Sequence, residues 1–226
     1  MITIKKHLQT PNFSPGVNTK EYIVVHHTAT GEGSINGVLA GFTQPGGRAS
    51  CHDTIDTNGD IYQIADDDAI LWHAGISLWQ GRTNLNKYSI GIEIIGPLGK
   101  TATPAQFTDA SREGLRRLVF HLHTKYKTPE EKILRHKDIS PGRKVDPYDT
   151  LWSRDFPSWS QYRKFLITNP LFMTSKYTKI FESVIKETGF DPIFDLHDGD
   201  APLNEQEIKE LIEIAFARFA QRNGLR

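Results

Sequence analysis

The sequence predicts an α/β or α+β domain followed by a small helical extension. Short segments rich in β-branched residues, typical of buried strands, are interleaved with segments whose apolar residues recur at helical spacing. This interleaving continues to about Asn169, and only helical patterns follow it. We therefore expect a main domain at residues 1–169 and a helical module at residues 170–226.

The first buried strand is predicted in Glu21–Thr30, EYIVVHHTAT, because a β-branched run is followed there by small and polar residues. Its C-terminal end carries two adjacent histidines, His26 and His27. Successive side chains of a strand point to opposite faces, so only one of the two histidines can face a given site.

Two further segments are predicted to contribute strands. His52–Ile64 contains two strand-like stretches separated by Asn58-Gly59, a strong signal for a hairpin turn. Tyr88–Gly96, YSIGIEIIG, alternates and is rich in isoleucine, with Glu93 inside it. A glutamate among apolar neighbours is either a functional buried carboxylate or a side chain at a strand edge that faces solvent. Beside a metal site, the buried form could act as a general base.

A helix and a last strand complete the predicted domain. Thr103–Gln106 combines an N-cap residue, a proline at the first helical position and a capping-box glutamine. The apolar residues that follow at helical spacing are Leu115, Leu118, Val119 and Leu122. Lys132–His136, KILRH, is predicted to be a short strand that leads into a charged loop.

The extension carries two amphipathic helical patterns separated by an acidic loop. The first pattern is closed by Gly189, and the second begins at Asn204 with a glutamate three residues later. Apolar stripes of this kind belong to a core far more often than to a ligand site. We expect the extension to be a helical hairpin that forms a small appended module or packs on the main domain.

The composition excludes several classes of protein. The chain has 27 Lys and Arg against 27 Asp and Glu, so its charge favours neither nucleic acid nor an anionic membrane as partner. No apolar run approaches the ~18 residues that a membrane-inserted helix needs, and no secretory signal is visible. The single cysteine, Cys51, excludes an intramolecular disulfide and fits a reducing compartment. We expect a globular protein that is cytoplasmic as synthesised.

Three polar groups are predicted to stand at the ends of core strands or on the loop after one of them. They are His26 or His27, His136 and Asp146. Two imidazoles and one carboxylate suit a catalytic site for a single zinc ion, with the fourth position open to water. The alternative is a set of surface histidines with an unrelated loop aspartate.

The loop Arg135–Pro147, RHKDISPGRKVDP, carries two members of this set. Its internal proline and glycine could fold it back, so that His136 and Asp146, ten residues apart, are presented together. In an extended segment Lys144 shares a face with Asp146 and could stabilise an oxyanion. Otherwise Lys144 is one more solvated lysine.

Four segments, in this order, resemble motifs of the zinc-dependent N-acetylmuramoyl-L-alanine amidases: IVVHHTAT, LWHAGISLWQGR, SIGIEIIG and RHKDISPGRKVDP. The family includes phage-lysozyme-like amidases, bacterial cytosolic anhydro-muropeptide amidases and animal peptidoglycan recognition proteins. The resemblance covers roughly residues 18–165 and is strongest to the cytosolic branch. It implies an α/β fold with a central mixed β-sheet flanked by helices, the type 2 amidase or peptidoglycan recognition protein-like fold.

The resemblance also implies roles for individual residues. The zinc ligands that it implies are His26, His136 and Asp146, the last at a position where other branches have cysteine. Glu93 matches the glutamate implicated as the base, and Lys144 matches the lysine that stabilises the transition state.

The resemblance further implies that the substrate contacts His73, Trp72 and Arg143. Cys51 stands where the phage-lysozyme branch has a catalytic tyrosine. This departure leaves Glu93 as the base and makes Cys51 a buried small residue.

The implied reaction is hydrolysis of the amide between the lactyl group of N-acetylmuramic acid and L-alanine by zinc-activated water. The substrate would be peptidoglycan or a muropeptide, with no nucleic acid and no membrane insertion. The helical extension favours a bacteriolytic phage endolysin that a holin releases to the cell wall, with the extension binding the wall or a protein partner. The alternatives are a cytosolic enzyme that recycles anhydro-muropeptides, a non-catalytic peptidoglycan-binding protein, and a zinc amidase for an unrelated peptide.

Overall fold

The structure, a computed structural model, describes three ranges of the chain: residues 2–30, 34–96 and 107–167. The chain divides into two units, Met1–Thr168 and Asn169–Arg226, and the described residues all lie in the first unit. The helical module predicted at residues 170–226 lies outside the described residues. The domain boundary after Asn169 and the role of the extension therefore stay predictions.

The described ranges contain ten β-strands and four α-helices. The strands are β1 (Ile4–His7), β2 (Phe13–Ser14), β3 (Tyr22–His27), β4 (Asp53–Ile55), β5 (Ile61–Gln63), β6 (Ile70–Leu71), β7 (Leu78–Trp79), β8 (Arg82–Thr83), β9 (Ser89–Ile94) and β10 (Ile133–Arg135). The helices are α1 (Ile35–Thr43), α2 (Asp109–Tyr126), α3 (His136–Ile139) and α4 (Trp159–Ile167). Strands and helices are interleaved, as the sequence predicted.

Six strands form one mixed sheet in the order β1-β5-β4-β9-β3-β10. Neighbouring strands run parallel, except for β4 and β5, which form the predicted antiparallel hairpin. Asn58-Gly59 lies in the turn, where Gly59 has a φ of +82°, a left-handed conformation that costs glycine little. The predicted α/β fold with a central mixed sheet is therefore confirmed.

The helices α2 and α4 pack on one face of the sheet and form the main core with it. The sheet residues of this core are Ile23, Val25, Ile55, Ile90, Ile92 and Ile94. The helix residues include Leu115, Leu118, Val119, Leu122 and Leu166. Each buried side chain of this size contributes about 1.5–3 kcal/mol to the stability of the fold. This layer therefore holds β3 and β9 firmly in place.

The opposite face of β9 carries the polar and small residues of that strand. The alternation that sends the isoleucines toward α2 leaves Ser89, Gly91 and Glu93 on the other face. β9 lies between β4 and β3, in the interior of the sheet. The alternative of a glutamate at a strand edge is therefore wrong.

The start of α2 differs from the prediction. This helix begins at Asp109, and its N-cap is Thr108, whose Oγ1 accepts a hydrogen bond from the N–H of Ser111 at 3.0 Å. The predicted capping segment, Thr103–Gln106, lies outside the described residues and does not start this helix. Among the helices that the structure describes, none is long and apolar enough to cross a membrane.

Candidate active site

The candidate site lies where three adjacent parallel strands, β9, β3 and β10, end. His26 is the last residue but one of β3, and Glu93 is the last residue but one of β9. His136 follows β10 directly and is the first residue of α3. Because the carboxyl ends of parallel strands meet at one edge of a sheet, these three residues, remote in sequence, lie close together.

Only one of the two adjacent histidines faces this site, as the strand geometry predicted. His26 packs against His136, with 4.4 Å between their ring centroids. His27 lies on the opposite face of β3, where its ring centroid is 4.5 Å from that of Tyr148 and 6.0 Å from that of Phe107. The choice between the two histidines therefore falls on His26.

The loop after β10 folds back through the short helix α3 and a tight turn. The carbonyl of Ser140 accepts the N–H of Lys144 at 3.0 Å. Gly142 has a φ of +76° within this turn, which is a conformation that favours glycine. The N–H of Lys137 then donates to the carbonyl of Asp146 at 2.9 Å. This last bond closes the loop and sets the Asp146 side chain beside the start of α3.

The side chains of His26, His136 and Asp146 converge on one point. The Nδ1 atoms of the two histidines are 2.9 Å apart. Asp146 Oδ2 lies 2.9 Å from His136 Nδ1 and 3.3 Å from His26 Nδ1. These atoms lie within 4.8 Å of one another, close enough to hold one metal ion. The structure thus brings together the three groups that the sequence singled out.

The second nitrogen of each histidine ring is bound within the protein. His136 Nε2 donates to the carbonyl of Ala74 at 3.2 Å. His26 Nε2 lies 3.0 Å from His73 Nδ1, and His73 Nε2 lies 3.3 Å from the carbonyl oxygen of Ser89. Because a carbonyl only accepts hydrogen bonds, these partners place the ring protons on Nε2. The Nδ1 atoms of His26 and His136 therefore present lone pairs to each other.

The electrostatics of this cluster favour a cation at its centre. Burial lowers the pKa of His26 to about 4, so the ring is neutral at neutral pH. Two lone pairs and a carboxylate oxygen that face one another repel unless a cation lies between them. This donor set fits a divalent ion such as zinc.

Glu93 lies on the same face as His26 and in register with it across β3 and β9. Its Oε2 atom is buried and has no hydrogen-bond partner among the residues that the structure describes. Burial raises the pKa of Glu93 well above its ordinary value, the carboxylate of Asp146 raises it further, and Lys144 opposes them. A buried carboxyl group that binds a proton this readily suits a residue that exchanges protons with a substrate.

Trp72 and Arg143, two of the predicted substrate contacts, are fixed by hydrogen bonds to the protein. The indole N–H of Trp72 donates to Ser14 Oγ at 2.9 Å, and the residue is partly exposed. The guanidinium of Arg143, an exposed residue, donates to the carbonyls of Ala74 and Ile76 at 3.0 and 2.7 Å. Their contact with substrate stays a prediction.

His73, the third predicted substrate contact, is buried behind His26. The residue is 8% exposed, and both ring nitrogens are engaged by His26 and Ser89. Its contact with substrate stays a prediction. The contact between His73 and His26 was not predicted from the sequence, and neither was the role of Gly91, over which the His73 ring lies. A glycine inside a strand often marks the close approach of another group, and that signal was available in SIGIE.

Cys51 is fully buried, as expected. It belongs to a small apolar cluster with Leu39 and Ile64. Its Sγ lies 3.4 Å from Thr54 Oγ1. Burial raises the pKa of the Cys51 thiol well above its ordinary value, so the sulfur remains protonated and inert at neutral pH.

The amino-acid sequence matches a known protein family and individual relatives. A sequence model of the family described as N-acetylmuramoyl-L-alanine amidase matches residues 17–149. The 1,6-anhydro-N-acetylmuramyl-L-alanine amidase AmpD of Haemophilus influenzae is 31% identical over 165 residues, which are 65% of this chain and 87% of that protein. AmpD of Escherichia coli K12 is 39% identical over 108 residues, and there the chain spans about half of the relative, 56%.

The described fold is also found in a solved structure. The crystal structure of a selenomethionine derivative of AmpD superposes with a TM-score of 0.57 at 29% identity. The match covers 74% of this chain and 97% of that one. The sheet that carries His26 and Glu93, with His136 directly after its last strand, is therefore an architecture that this chain shares with a known amidase.

Proposed function

The chain belongs to the N-acetylmuramoyl-L-alanine amidase family, amide hydrolases of peptidoglycan, and we propose that it works with one zinc ion on soluble anhydro-muropeptides. The bond cut joins the lactyl group of N-acetylmuramic acid to L-alanine. One observation carries the proposal: the Nδ1 atoms of His26 and His136 and Oδ2 of Asp146 converge, at distances of 2.9 to 3.3 Å from one another.

The zinc ligands would be His26, His136 and Asp146. Their donor atoms already lie within 4.8 Å of one another, so little reorganisation would be needed to bind the ion. Bound at such a site, zinc supplies Lewis acidity, which lowers the pKa of water and polarises a carbonyl group. The hydrogen bond from His136 Nε2 to the Ala74 carbonyl holds that ring in the ligating orientation.

Glu93 would accept the proton of the attacking water. It then passes this proton to the nitrogen of the departing L-alanine, so that the amine leaves as a neutral group. The raised pKa of Glu93 suits both steps, because a buried carboxyl group with a raised pKa takes up a proton more readily than an ordinary glutamate and can then return it. Its fixed register with His26 keeps it beside the ligands.

Lys144 would stabilise the negative charge that develops on the carbonyl oxygen during attack. Lys144 precedes Asp146 by two residues, and its N–H is held by the carbonyl of Ser140. Its positive charge lowers the pKa of both Glu93 and His26, which supports this proposed role. Lys144 is only partly exposed, so water screens this charge incompletely.

Trp72 and Arg143 are proposed to contact the substrate beside these groups. Their side chains are held by Ser14 and by backbone carbonyls, so they would meet the substrate without losing much conformational freedom.

The preference for a soluble substrate rests on the relatives. The names of AmpD from Haemophilus influenzae and Escherichia coli specify a 1,6-anhydro-N-acetylmuramyl-L-alanine amidase. The sequence had favoured an endolysin because of the extension at 170–226, which lies outside the described residues. Endolysin activity, release by a holin, and a wall or protein partner for the extension stay predictions.

The test compares two substrates of the full chain loaded with zinc. One is a soluble anhydro-muropeptide and the other is intact sacculi, and the products of both are identified by mass spectrometry. We expect the soluble substrate to release a peptide with a free L-alanine amino group much faster than the sacculi do, and a chelator to abolish the release.

Three results would contradict the proposal. Equal or faster digestion of sacculi would favour the endolysin. Binding of muropeptide without turnover in zinc-loaded protein would favour a peptidoglycan-binding protein. Cleavage at another bond would exclude the amidase reaction.

A further inference from the structure

The structure assigns to His73 a positioning role: it fixes the tautomer and orientation of His26, and Gly91 provides the space in which it does so. This inference rests on the proposed function, because it supposes that His26 binds zinc through Nδ1. It gives His73 a role inside the protein, whereas the resemblance implied contact with the substrate.

The direction of the hydrogen bonds is set by a backbone carbonyl. The carbonyl of Ser89 accepts a bond from Asn18 Nδ2 at 2.9 Å and lies 3.3 Å from His73 Nε2. Ser89 Oγ is also 3.3 Å from this nitrogen, and because it donates its own proton to the carbonyl of Leu85 at 2.6 Å, it too accepts from Nε2. A carbonyl cannot donate, so His73 carries its proton on Nε2 and accepts at Nδ1. His26 must then donate from Nε2, 3.0 Å away, which leaves Nδ1 of His26 free for a metal ion.

The two rings are held at a fixed angle and away from water. Their centroids are 5.1 Å apart, and their planes are nearly perpendicular at 83°. His26 is 1% exposed and His73 is 8% exposed, so solvent competes little for the hydrogen bond between them. A histidine ligand oriented in this way holds a metal more tightly than one whose ring can rotate.

Gly91 makes room for this arrangement. A Cβ atom at position 91 would lie 2.3 Å from Cγ of His73 and 2.6 Å from its Nδ1, distances at which the ring must move. Gly91 stands between Ser89 and Glu93 on the same face of β9. These three residues have different tasks: Ser89 supplies an acceptor for His73, Gly91 leaves space for its ring, and Glu93 is the proposed base.

Three substitutions of His73 separate positioning from packing. His73→Asn keeps an acceptor, Oδ1, near the place of Nδ1 and can still receive the hydrogen bond of His26. In His73→Gln the side-chain amide lies near the position that Nε2 of the histidine occupied. It can still reach Ser89, but His26 is left without an acceptor. His73→Leu removes both bonds. Asparagine is the smallest of the three replacements. If His73 only filled space, His73→Gln or His73→Leu should therefore preserve zinc binding better than His73→Asn.

The measurements are the zinc dissociation constant, by competition with a chelator at fixed pH, and the urea unfolding of the zinc-free full chain. We expect His73→Gln and His73→Leu to raise the dissociation constant by about 10–100-fold, and His73→Asn to raise it by less than about tenfold. We expect Gly91→Ala to weaken zinc binding as much as His73→Leu does. Gly41→Ala, whose added Cβ would meet nothing within 4 Å, should not.

The outcomes distinguish this inference from the proposed function. Tight zinc binding by the unmodified chain, with equal dissociation constants for all three variants of His73, would overturn the positioning role alone. The positioning role would also be overturned if the zinc affinities of the three variants followed the stabilities of their zinc-free forms, with His73→Asn the weakest binder. An unmodified chain that binds no zinc would overturn the proposed function and this inference with it.

Discussion

His26 and Glu93 stand opposite each other, in register, on the neighbouring parallel strands β3 and β9. Paired positions of adjacent strands point to the same face of a sheet. The proposed metal ligand and the proposed base are therefore held by the same rigid scaffold, whose reverse face is packed against α2 and α4. Neither residue depends on a mobile loop for its position.

Replacing Glu93 tests the proposed base. Glu93→Gln keeps the shape of the side chain but removes its ability to take up a proton, so we expect kcat to fall about 10²–10⁴-fold. Zinc content should not change, because Glu93 is not among the converging ligand atoms. Steady-state kinetics and elemental analysis measure the two quantities. Glu131→Gln, at an exposed position, is the control; equal activity of both variants would exclude Glu93 as the base.

Replacing Asp146 tests the third ligand. Asp146→Ala removes the carboxylate that lies between the two histidines, so we expect the zinc dissociation constant to rise by more than about 10²-fold, beyond the usual effect of a residue that merely supports a ligand. Activity should fall in parallel. Asp66→Ala, at an exposed position, is the control. Full zinc content and turnover in Asp146→Ala would show that the loop after α3 has been assigned wrongly.

Replacing Lys144 tests the proposed stabilisation of the oxyanion. For Lys144→Ala we expect kcat to fall about 10²–10³-fold, with zinc content unchanged. Lys144→Arg should recover part of the loss, because it keeps the charge. Lys87→Ala removes an exposed lysine outside the site and should have no effect. A rise in KM alone would instead make Lys144 a residue that binds the ground state.

Asp67 provides a pH-dependent test of the stability of the fold. Burial acts to raise the pKa of this carboxyl group, but hydrogen bonds from Lys125 and Tyr126, at 2.8 and 2.5 Å, outweigh burial and lower it. A carboxylate whose folded pKa is depressed stabilises the protein fully above its unfolded pKa of about 3.9. That contribution is lost as the pH falls through the lower, folded value.

We therefore expect Asp67→Asn to lower the free energy of unfolding by about 1 kcal/mol at pH 7, a value reduced because Lys125 is half exposed. The difference should persist down to about pH 5 and shrink below about pH 4. Urea unfolding of the zinc-free chain measures it, with Asp66→Asn as the control. A difference that grew on acidification would have the wrong sign.

The sequence predicted the features that depend on local periodicity and on the order of motifs. Alternation in SIGIEI placed Glu93 on the face opposite the isoleucines, and alternation in β3 allowed only one of His26 and His27 to face the site. It could not say which one. The resemblance favoured His26, and the return of the loop that carries Asp146 agrees with that choice.

Features that depend on packing between distant segments were not predictable. The bond between His26 and His73 joins residues 47 positions apart and passes over Gly91, so no single segment contains it. The start of α2 also depends on a contact between distant segments. Thr108 caps the helix and also donates to the carbonyl of Thr57 in the hairpin turn, a tertiary contact that local capping patterns do not contain.

X-ray absorption at the zinc K edge of the full chain, loaded with one equivalent of zinc, reports directly on the ligands of the ion. If two histidines and one aspartate bind it, we expect nitrogen and oxygen neighbours at about 2.0–2.1 Å, with the outer-shell scattering of two imidazole rings. His136→Ala should remove the scattering of one ring. A shell of oxygen atoms alone, unchanged by that substitution, would contradict the claim that His26, His136 and Asp146 bind the ion.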